Sequence, residues 1–190
     1  VAHQHGLLDA RLVHQPDDGR ALGLQGMIDD MLRRCDFATA HETDAMPQLA
    51  AADARSVAQG ITLLENFPER HRATIATLQK ALTKVPPVLG ITGTGGAGKS
   101  SLIDELLRRF LLDFPTIRIA VLCVDPTRKK TGGALLGDRI RMNAAADPRV
   151  FVRSMATRRA NMALSESVKD ALSVLKVAGY DLILLESSGI

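Results

Sequence analysis

GITGTGGAGKSS, at residues 90–101, is a complete match to the phosphate-binding loop pattern Gly-x4-Gly-Lys-Ser. Glycines in such a loop let the backbone curl so that several N–H groups point at phosphate oxygens. The apolar pair Val88-Leu89 precedes the loop and a helical pattern follows it, which brings the positive end of a helix to the same place. The stretch predicts nucleotide binding, with Lys99 bridging the β- and γ-phosphates and Ser100 ligating Mg²⁺.

Apolar strand patterns alternate with helical patterns downstream of the loop. Helices are predicted over 103–111, 135–146 and 161–178, and strands over 117–124, 150–152 and 182–185. Because the strands are apolar on both faces, we expect a parallel sheet covered by helices on both sides. The fold class is therefore α/β, with a sheet of the P-loop NTPase type.

The region upstream of the loop has a helical character. Apolar residues at Leu24, Met27, Ile28, Met31 and Leu32 have helical spacing, which predicts an amphipathic helix whose methionines face a core. The pattern breaks after residue 35, and two further helices are predicted over 49–66 and 69–82. We therefore divide the chain into residues 1–35, a helical linker over 36–86, and the P-loop domain over 87–190.

Composition excludes several classes of function. The 190 residues are 46% hydrophobic with a net charge of +3, enough apolar content for one packed domain and only a mild basic excess. With one tyrosine and no tryptophan, no base-stacking surface is expected and no nucleic-acid partner is predicted. No signal peptide and no apolar run of membrane-spanning length is present, so we predict a cytoplasmic protein without a membrane partner.

The cysteines indicate the redox compartment of the protein, and the two ends of the chain indicate whether the sequence is a fragment. Cys35 and Cys123 form no CxxC pair, which is typical of a reducing compartment, and Cys123 falls in an apolar strand pattern that predicts burial. The chain begins at Val1 rather than methionine and stops at Ile190, directly after a strand and a glycine turn. We therefore expect a piece of a longer protein.

Two carboxylates follow predicted strands. In an open parallel sheet, ligands bind beyond the carboxyl ends of the strands, and such ends here carry Asp125 and Glu186. Together with the loop lysine and serine, they suit Mg²⁺ bound to phosphate oxygens. Taken singly, Asp125 is equally a turn residue before Pro126, and Glu186 equally a solvated strand end.

Two further segments have the character of switches. Residues 186–189, Glu-Ser-Ser-Gly, are similar to the Asp-x-x-Gly turn of GTPases, in which the glycine N–H meets the γ-phosphate; here that glycine is Gly189. In the segment after Gly132-Gly133, Asp138 could reach the metal and Arg141 could pair with phosphate. An exposed ion pair on a helix is the alternative for Asp138 and Arg141.

Five stretches together resemble a known family. VLGITGTGGAGKSS, VDPTRKKTGGALLGDRIRMN, RSMATR and LILLESSGI are similar to the GTPase chaperones of cobalamin-dependent acyl-CoA mutases. DDGRALGLQGMIDDMLRRCDF, at residues 17–37, resembles the end of the cobalamin domain in the branch that fuses this GTPase to an isobutyryl-CoA mutase. The resemblance implies that residues 1–35 are the tail of a cobalamin-binding domain and that 87–190 are the first half of a GTPase domain.

Roles for individual residues follow from the resemblance. It implies catalytic roles for Lys99, Asp125 and Glu186. The GTP phosphates would be held by the loop and two later residues: Gly95, Gly96, Ala97, Gly98, Lys99, Ser100, Ser101, Arg141 and Gly189. Mg²⁺ would lie among Ser100, the carbonyl of Val124, Asp125, Asp138, Glu186 and Ser187.

The resemblance also implies the context of the whole protein. That context is Mg²⁺-dependent GTP hydrolysis assisting an adenosylcobalamin-dependent mutase that interconverts isobutyryl-CoA and n-butyryl-CoA. Partners would be the mutase and cobalamin domains of the same chain, in a homodimer. Three alternatives stay open: a separate GTPase chaperone or metallocentre-delivery GTPase, a nucleotide-dependent switch without catalysis, and an ATP-dependent small-molecule kinase.

Overall fold

A computed structural model of the chain describes residues 16–35, 39–49, 53–126, 142–157 and 166–188. By its internal contacts the chain divides into two compact units, Val1–Thr39 and Ala40–Ile190. No helix in these described ranges is long and apolar enough to cross a membrane.

The described part of the first unit is helix α1, Pro16–Cys35, which confirms the predicted helix. It is interrupted at Gly23, whose φ of 64° is left-handed and suits glycine. Its predicted core face is nevertheless exposed, with Leu24 72% and Leu32 60% accessible to solvent. The prediction that the helix methionines face a core is wrong for Met31, which is also exposed. Periodicity predicts a helix, but burial requires a second layer, and the described residues of this unit form only this helix.

The second unit alternates helices and strands. Its elements are α2 Ala54–Asn66, α3 Pro68–Lys80, β1 Val88–Gly93, α4 Lys99–Asp113, β2 Ile119–Pro126, a 3₁₀ helix Asn143–Ala146, β3 Val150–Thr157, α5 Glu166–Val177 and β4 Leu182–Ser188. The described strands form one four-stranded sheet in the order β1-β4-β2-β3, and every neighbouring pair is parallel. The predicted parallel sheet is confirmed.

Helices cover both faces of the sheet. On one face, Ile103 and Leu107 of α4 pack against the side chains of β2, β3 and β4. On the other face, α2, α3 and α5 share a core with the alternate residues of the same strands, including Leu122 and Ile183. Helices α2 and α3 lie in the segment predicted as a linker, and they pack against the sheet.

A charged contact joins the helices of the second layer. Arg72 of α3 donates from Nε and Nη2 to both carboxylate oxygens of Asp170 on α5, at 2.8 to 3.2 Å. Asp170 is buried, so this planar two-point contact supplies donors to a carboxylate that burial would otherwise leave without them.

Tertiary contacts move several predicted boundaries. Helix α2 begins at Ala54 rather than near residue 49, because the Asp53 carboxylate caps it by accepting the N–H of Ser56 at 2.8 Å. Leu49 is instead buried in the preceding loop. Strands β3 and β4 run to Thr157 and Ser188, beyond the predicted ends, because pairing with β2 and with β1 continues there.

The helices predicted over 135–146 and 161–178 are described only in part. Residues 135–141 and 161–165 lie outside the described residues, whereas 143–146 form the 3₁₀ helix and 166–177 form α5. Gly179 has a φ of 84°, the left-handed conformation expected of a glycine just beyond a helix C-terminus.

Replacement of Asp53 by alanine should lower the free energy of unfolding by about 1 kcal/mol, since it removes the helix cap. The hydrogen bond from the Ser56 N–H lowers the pKa of Asp53 below its usual 3.8, so the cap contributes at neutral pH and is lost as the pH falls through that lowered value. Urea denaturation at pH 7 measures the effect. Asp53→Asn, which keeps an accepting oxygen, is the control; equal losses in both variants would contradict the capping role.

Candidate functional site

The loop between β1 and α4 has the shape that its glycines predict. Gly96 and Gly98 have φ values of 79° and 80°, in the left-handed region that other residues rarely enter. The N–H of Ala97 donates to the carbonyl of Thr94 at 3.3 Å, which closes a turn inside the loop. The backbone therefore leaves the strand, curls and enters the helix within a few residues.

Helix α4 presents its N-terminus to the loop. Gly98 is its N-cap and supplies no side-chain hydrogen bond. The positive end of the helix dipole and its uncapped N–H groups favour an anion at this point. A cavity of about 240 Å³ opens there, lined by Gly96, Gly98, Lys99, Ser100 and Ser101.

Two larger cavities lie away from the loop. One of about 880 Å³ runs between α4 and the 3₁₀ helix, and one of about 750 Å³ is lined mainly by apolar residues of the 46–49 loop, α3 and α5. Neither contains a glycine loop at a helix N-terminus. The chemistry of phosphate binding, rather than the size of the cavity, therefore places the candidate site at the 90–101 loop.

Lys99 is fixed across the loop. Its Nζ donates to the carbonyl of Gly93 at 2.8 Å and to that of Thr94 at 3.0 Å. An ammonium group has three N–H donors, so these contacts leave one for a phosphate oxygen. The lysine charge is thus held beside the helix N-terminus before any ligand arrives.

Ser100 and Glu186 meet beneath the loop. The Ser100 hydroxyl, in the first turn of α4, donates to Oε1 of Glu186 at 3.0 Å. Glu186 is buried near the end of β4, where it is the register partner of Ile91 on β1. The structure therefore brings together a hydroxyl and a carboxylate that the sequence assigned to one metal site; their role as ligands stays a prediction.

Sequence reasoning missed the contact between Cys123 and Glu186. The burial of Cys123 is confirmed, but its Sγ also donates to Oε2 of Glu186 at 3.7 Å, from the neighbouring strand β2. Cys123 and Glu186 are register partners across β2 and β4. Alternation along β2 indicates which residues share a face, but only the strand order shows that Glu186 is the neighbour of Cys123.

For the other predicted ligands, the structure gives at most a position in a strand. Val124 and Ser187 are register partners at the C-terminal ends of β2 and β4. Asp125 is the next residue of β2, with a described backbone, whereas its side chain lies outside the described part. Asp138, Arg141 and Gly189 also lie outside the described residues.

Sequence reasoning also missed the contacts of Asp104, which join α4 to the 3₁₀ helix. Asp104, one turn after Ser100, accepts the N–H of Ala144 at 2.8 Å and the side-chain amide of Asn143 at 3.4 Å. Nearby, the hydrogen bond from Arg149 lowers the pKa of Asp147 below its usual value. The contacts of Asp104 hold the 3₁₀ helix against α4, and no local sequence pattern predicts them.

The chain is similar in sequence to known GTPases and to a mutase that contains such a domain. A profile of the family described as methylmalonyl-CoA mutase-associated GTPase MeaB matches residues 57–190. The chain is 54% identical over 196 residues to a fused isobutyryl-CoA mutase of Geobacillus kaustophilus; the match covers 99% of this chain and 18% of that protein. It is 42% identical over 148 residues to a putative GTPase of Pyrococcus horikoshii, covering 77% of this chain and 46% of that protein.

A solved structure shares the fold. The LAO/AO transport system kinase superimposes with a TM-score of 0.52 at 25% identity, over 75% of this chain and 41% of that one. The chain therefore spans less than half of each of these relatives.

Gly98→Ala should lower the free energy of unfolding by roughly 1–2 kcal/mol, because alanine is strained in the left-handed conformation. No atom lies within 4 Å of the added methyl group, so the loss would come from the backbone alone. Gly95→Ala is the matched control, since Gly95 has the same open space without a positive φ. Chemical denaturation without nucleotide measures both variants, and equal stability of the two would refute the backbone explanation.

Proposed function

The chain belongs to the family of methylmalonyl-CoA mutase-associated GTPases, and from this premise we propose that its P-loop domain binds Mg²⁺-GTP and hydrolyses it at the loop of residues 90–101. The observation that carries the proposal is the pair of contacts around that loop. Lys99 is held across it by two carbonyls, and Ser100 is hydrogen-bonded to the buried Glu186 beneath it.

Phosphate binding rests on the backbone and one ammonium group. The loop residues 95–101 surround the phosphates, and the start of α4 directs its N–H groups at them. The remaining N–H of Lys99 meets the β- and γ-phosphates. Arg141 and the N–H of Gly189 complete the phosphate contacts in this proposal.

The residues present fit Mg²⁺. This ion prefers oxygen ligands, and the Ser100 hydroxyl and the Glu186 carboxylate already lie 3.0 Å apart. Ser100, the carbonyl of Val124, Asp125, Asp138, Glu186 and Ser187 are the residues we assign around it. When bound, the ion neutralises charge on the phosphate oxygens.

Hydrolysis in this site depends on positioning and charge. Water attacks the γ-phosphorus, the bond from that phosphorus to the β–γ bridging oxygen breaks, and GDP and inorganic phosphate are released. Lys99 stabilises the negative charge that gathers on the leaving β-phosphate. Asp125 and Glu186, at the ends of their strands, are the carboxylates that would hold the Mg²⁺ and so position the phosphates for attack.

For the whole protein we propose a fused mutase. The similarity to the Geobacillus kaustophilus protein extends over 99% of this chain and so includes the segment resembling a cobalamin domain. In such a protein the nucleotide state would control delivery or retention of adenosylcobalamin, the cofactor of the isobutyryl-CoA to n-butyryl-CoA rearrangement. The mutase and cobalamin domains would be partners in the same chain, which we propose acts as a cytoplasmic homodimer.

A separate GTPase chaperone is the second candidate. The Pyrococcus horikoshii relative favours it, because that match covers only 77% of this chain yet 46% of that protein. Sequence on both sides of the present chain discriminates the two. An upstream cobalamin-ligating Asp-x-His-x-x-Gly motif and a long downstream barrel support the fused mutase, and their absence supports the separate chaperone.

Lys99→Ala and Asp125→Ala in the full-length protein should each reduce the rate of GTP hydrolysis by about 100-fold or more, since each removes a charge that the transition state needs. Lys80→Ala is the matched control, because Lys80 is exposed at the end of α3. Steady-state phosphate release measures the rates. Unchanged turnover in the first two variants would refute the site assignment.

Removal of Mg²⁺ by a chelator should stop GTP hydrolysis, and added Mg²⁺ should restore it. Ca²⁺ is the control, because it is larger than Mg²⁺ and generally tolerates looser coordination geometry. Ser100→Ala should raise the Mg²⁺ concentration needed for half-maximal hydrolysis, as it removes a proposed ligand. Full activity in chelator would show that the metal assignment is wrong.

A further inference from the structure

The thiol of Cys123 lies in the candidate site without a role in the proposal above. It is 2% exposed, and its Sγ is 3.7 Å from Oε2 of Glu186, which is itself only 7% exposed. A carboxylate so deeply buried needs hydrogen-bond donors on its oxygens. The two donors that the structure shows come from different elements, Ser100 of α4 on Oε1 and Cys123 of β2 on Oε2.

These contacts fix how the carboxylate is turned. The plane of a carboxylate rotates readily when only one oxygen is held, and contacts to both oxygens restrict that rotation. Cys123 and Glu186 are register partners, so the thiol is kept beside Oε2 by the hydrogen bonds of the sheet. Oε1 is thereby directed at Ser100, at the base of the phosphate loop.

We propose that Cys123 is a positioning residue that orients Glu186 toward the Mg²⁺-binding side of the site. The proposal rests on the proposed function, because it concerns the residues assigned to Mg²⁺. A thiol is a weak donor, so it holds Oε2 without competing strongly for the carboxylate charge that a cation requires. Outer partners of metal-binding carboxylates commonly influence metal affinity in this way.

Three substitutions at Cys123 separate hydrogen bonding from packing. Cys123→Ala removes the donor and some volume, Cys123→Val removes the donor but fills the space, and Cys123→Ser keeps a donor of similar size. If the hydrogen bond matters, alanine and valine share one defect and serine is close to wild type. Cys35→Ala, at the only other cysteine of the chain, is the matched control.

The experiment uses the full-length protein and two readouts. The first is the Mg²⁺ concentration that gives half-maximal GTP hydrolysis; the second is calorimetric binding of a non-hydrolysable GTP analogue with and without Mg²⁺. For Cys123→Ala and Cys123→Val we expect about a tenfold rise in the half-maximal Mg²⁺ concentration and a matching loss of the Mg²⁺-dependent gain in analogue affinity. Affinity for the analogue without Mg²⁺ should stay at the wild-type value, since the hydrogen bond of the thiol acts on Glu186, which the proposal assigns to the Mg²⁺ rather than to the phosphates.

The outcomes are distinguishable. Wild-type Mg²⁺ dependence in the alanine and valine variants, or a serine variant as impaired as alanine, would overturn the role of Cys123 while leaving GTP hydrolysis intact. A wild-type protein that hydrolyses GTP without Mg²⁺ would instead overturn the proposed function. Loss of analogue binding both with and without Mg²⁺ would assign Cys123 to packing and also overturn the inference.

Discussion

The position of β4 between β1 and β2 is the constraint on which the candidate site depends. All described strands are parallel, so their C-terminal ends share one edge of the sheet. Because β4 is adjacent to the strand that leads into the loop, Ser100 reaches Glu186 at 3.0 Å. Adjacent strands lie about 4.8 Å apart, so one more strand between them would have moved the carboxylate out of hydrogen-bond range.

The site combines a rigid base with a buried charge. Core side chains such as Val121, Leu122, Ile183 and Leu184 are fully buried, and each contributes roughly 1.5–3 kcal/mol through the removal of apolar surface from water. That packing keeps Glu186 in place although burial of a carboxylate is unfavourable. The oxygens of Glu186 accept hydrogen bonds from a hydroxyl and a thiol, which are neutral donors.

The anion-binding half of the site is built differently. Its shape comes from two left-handed glycines and from Lys99, which bridges the carbonyls of Gly93 and Thr94. In the proposed function, the backbone N–H groups and the fixed ammonium group would face the phosphates. A preorganised cradle of this kind reduces the ordering cost of binding an anion.

The sequence alone determined the P-loop, the alternation of strands and helices, the parallel sheet and the family, because these are local patterns within a few residues of one another. It also named Ser100 and Glu186, since each follows from its own motif or strand end. The strand order, the start of α2 at Ala54, the exposure of the α1 face and the contacts of Cys123 and Asp104 were decided only by the tertiary structure. They depend on register and packing between residues far apart in the chain, such as the 63 positions that separate Cys123 from Glu186, and no local periodicity encodes such a pairing.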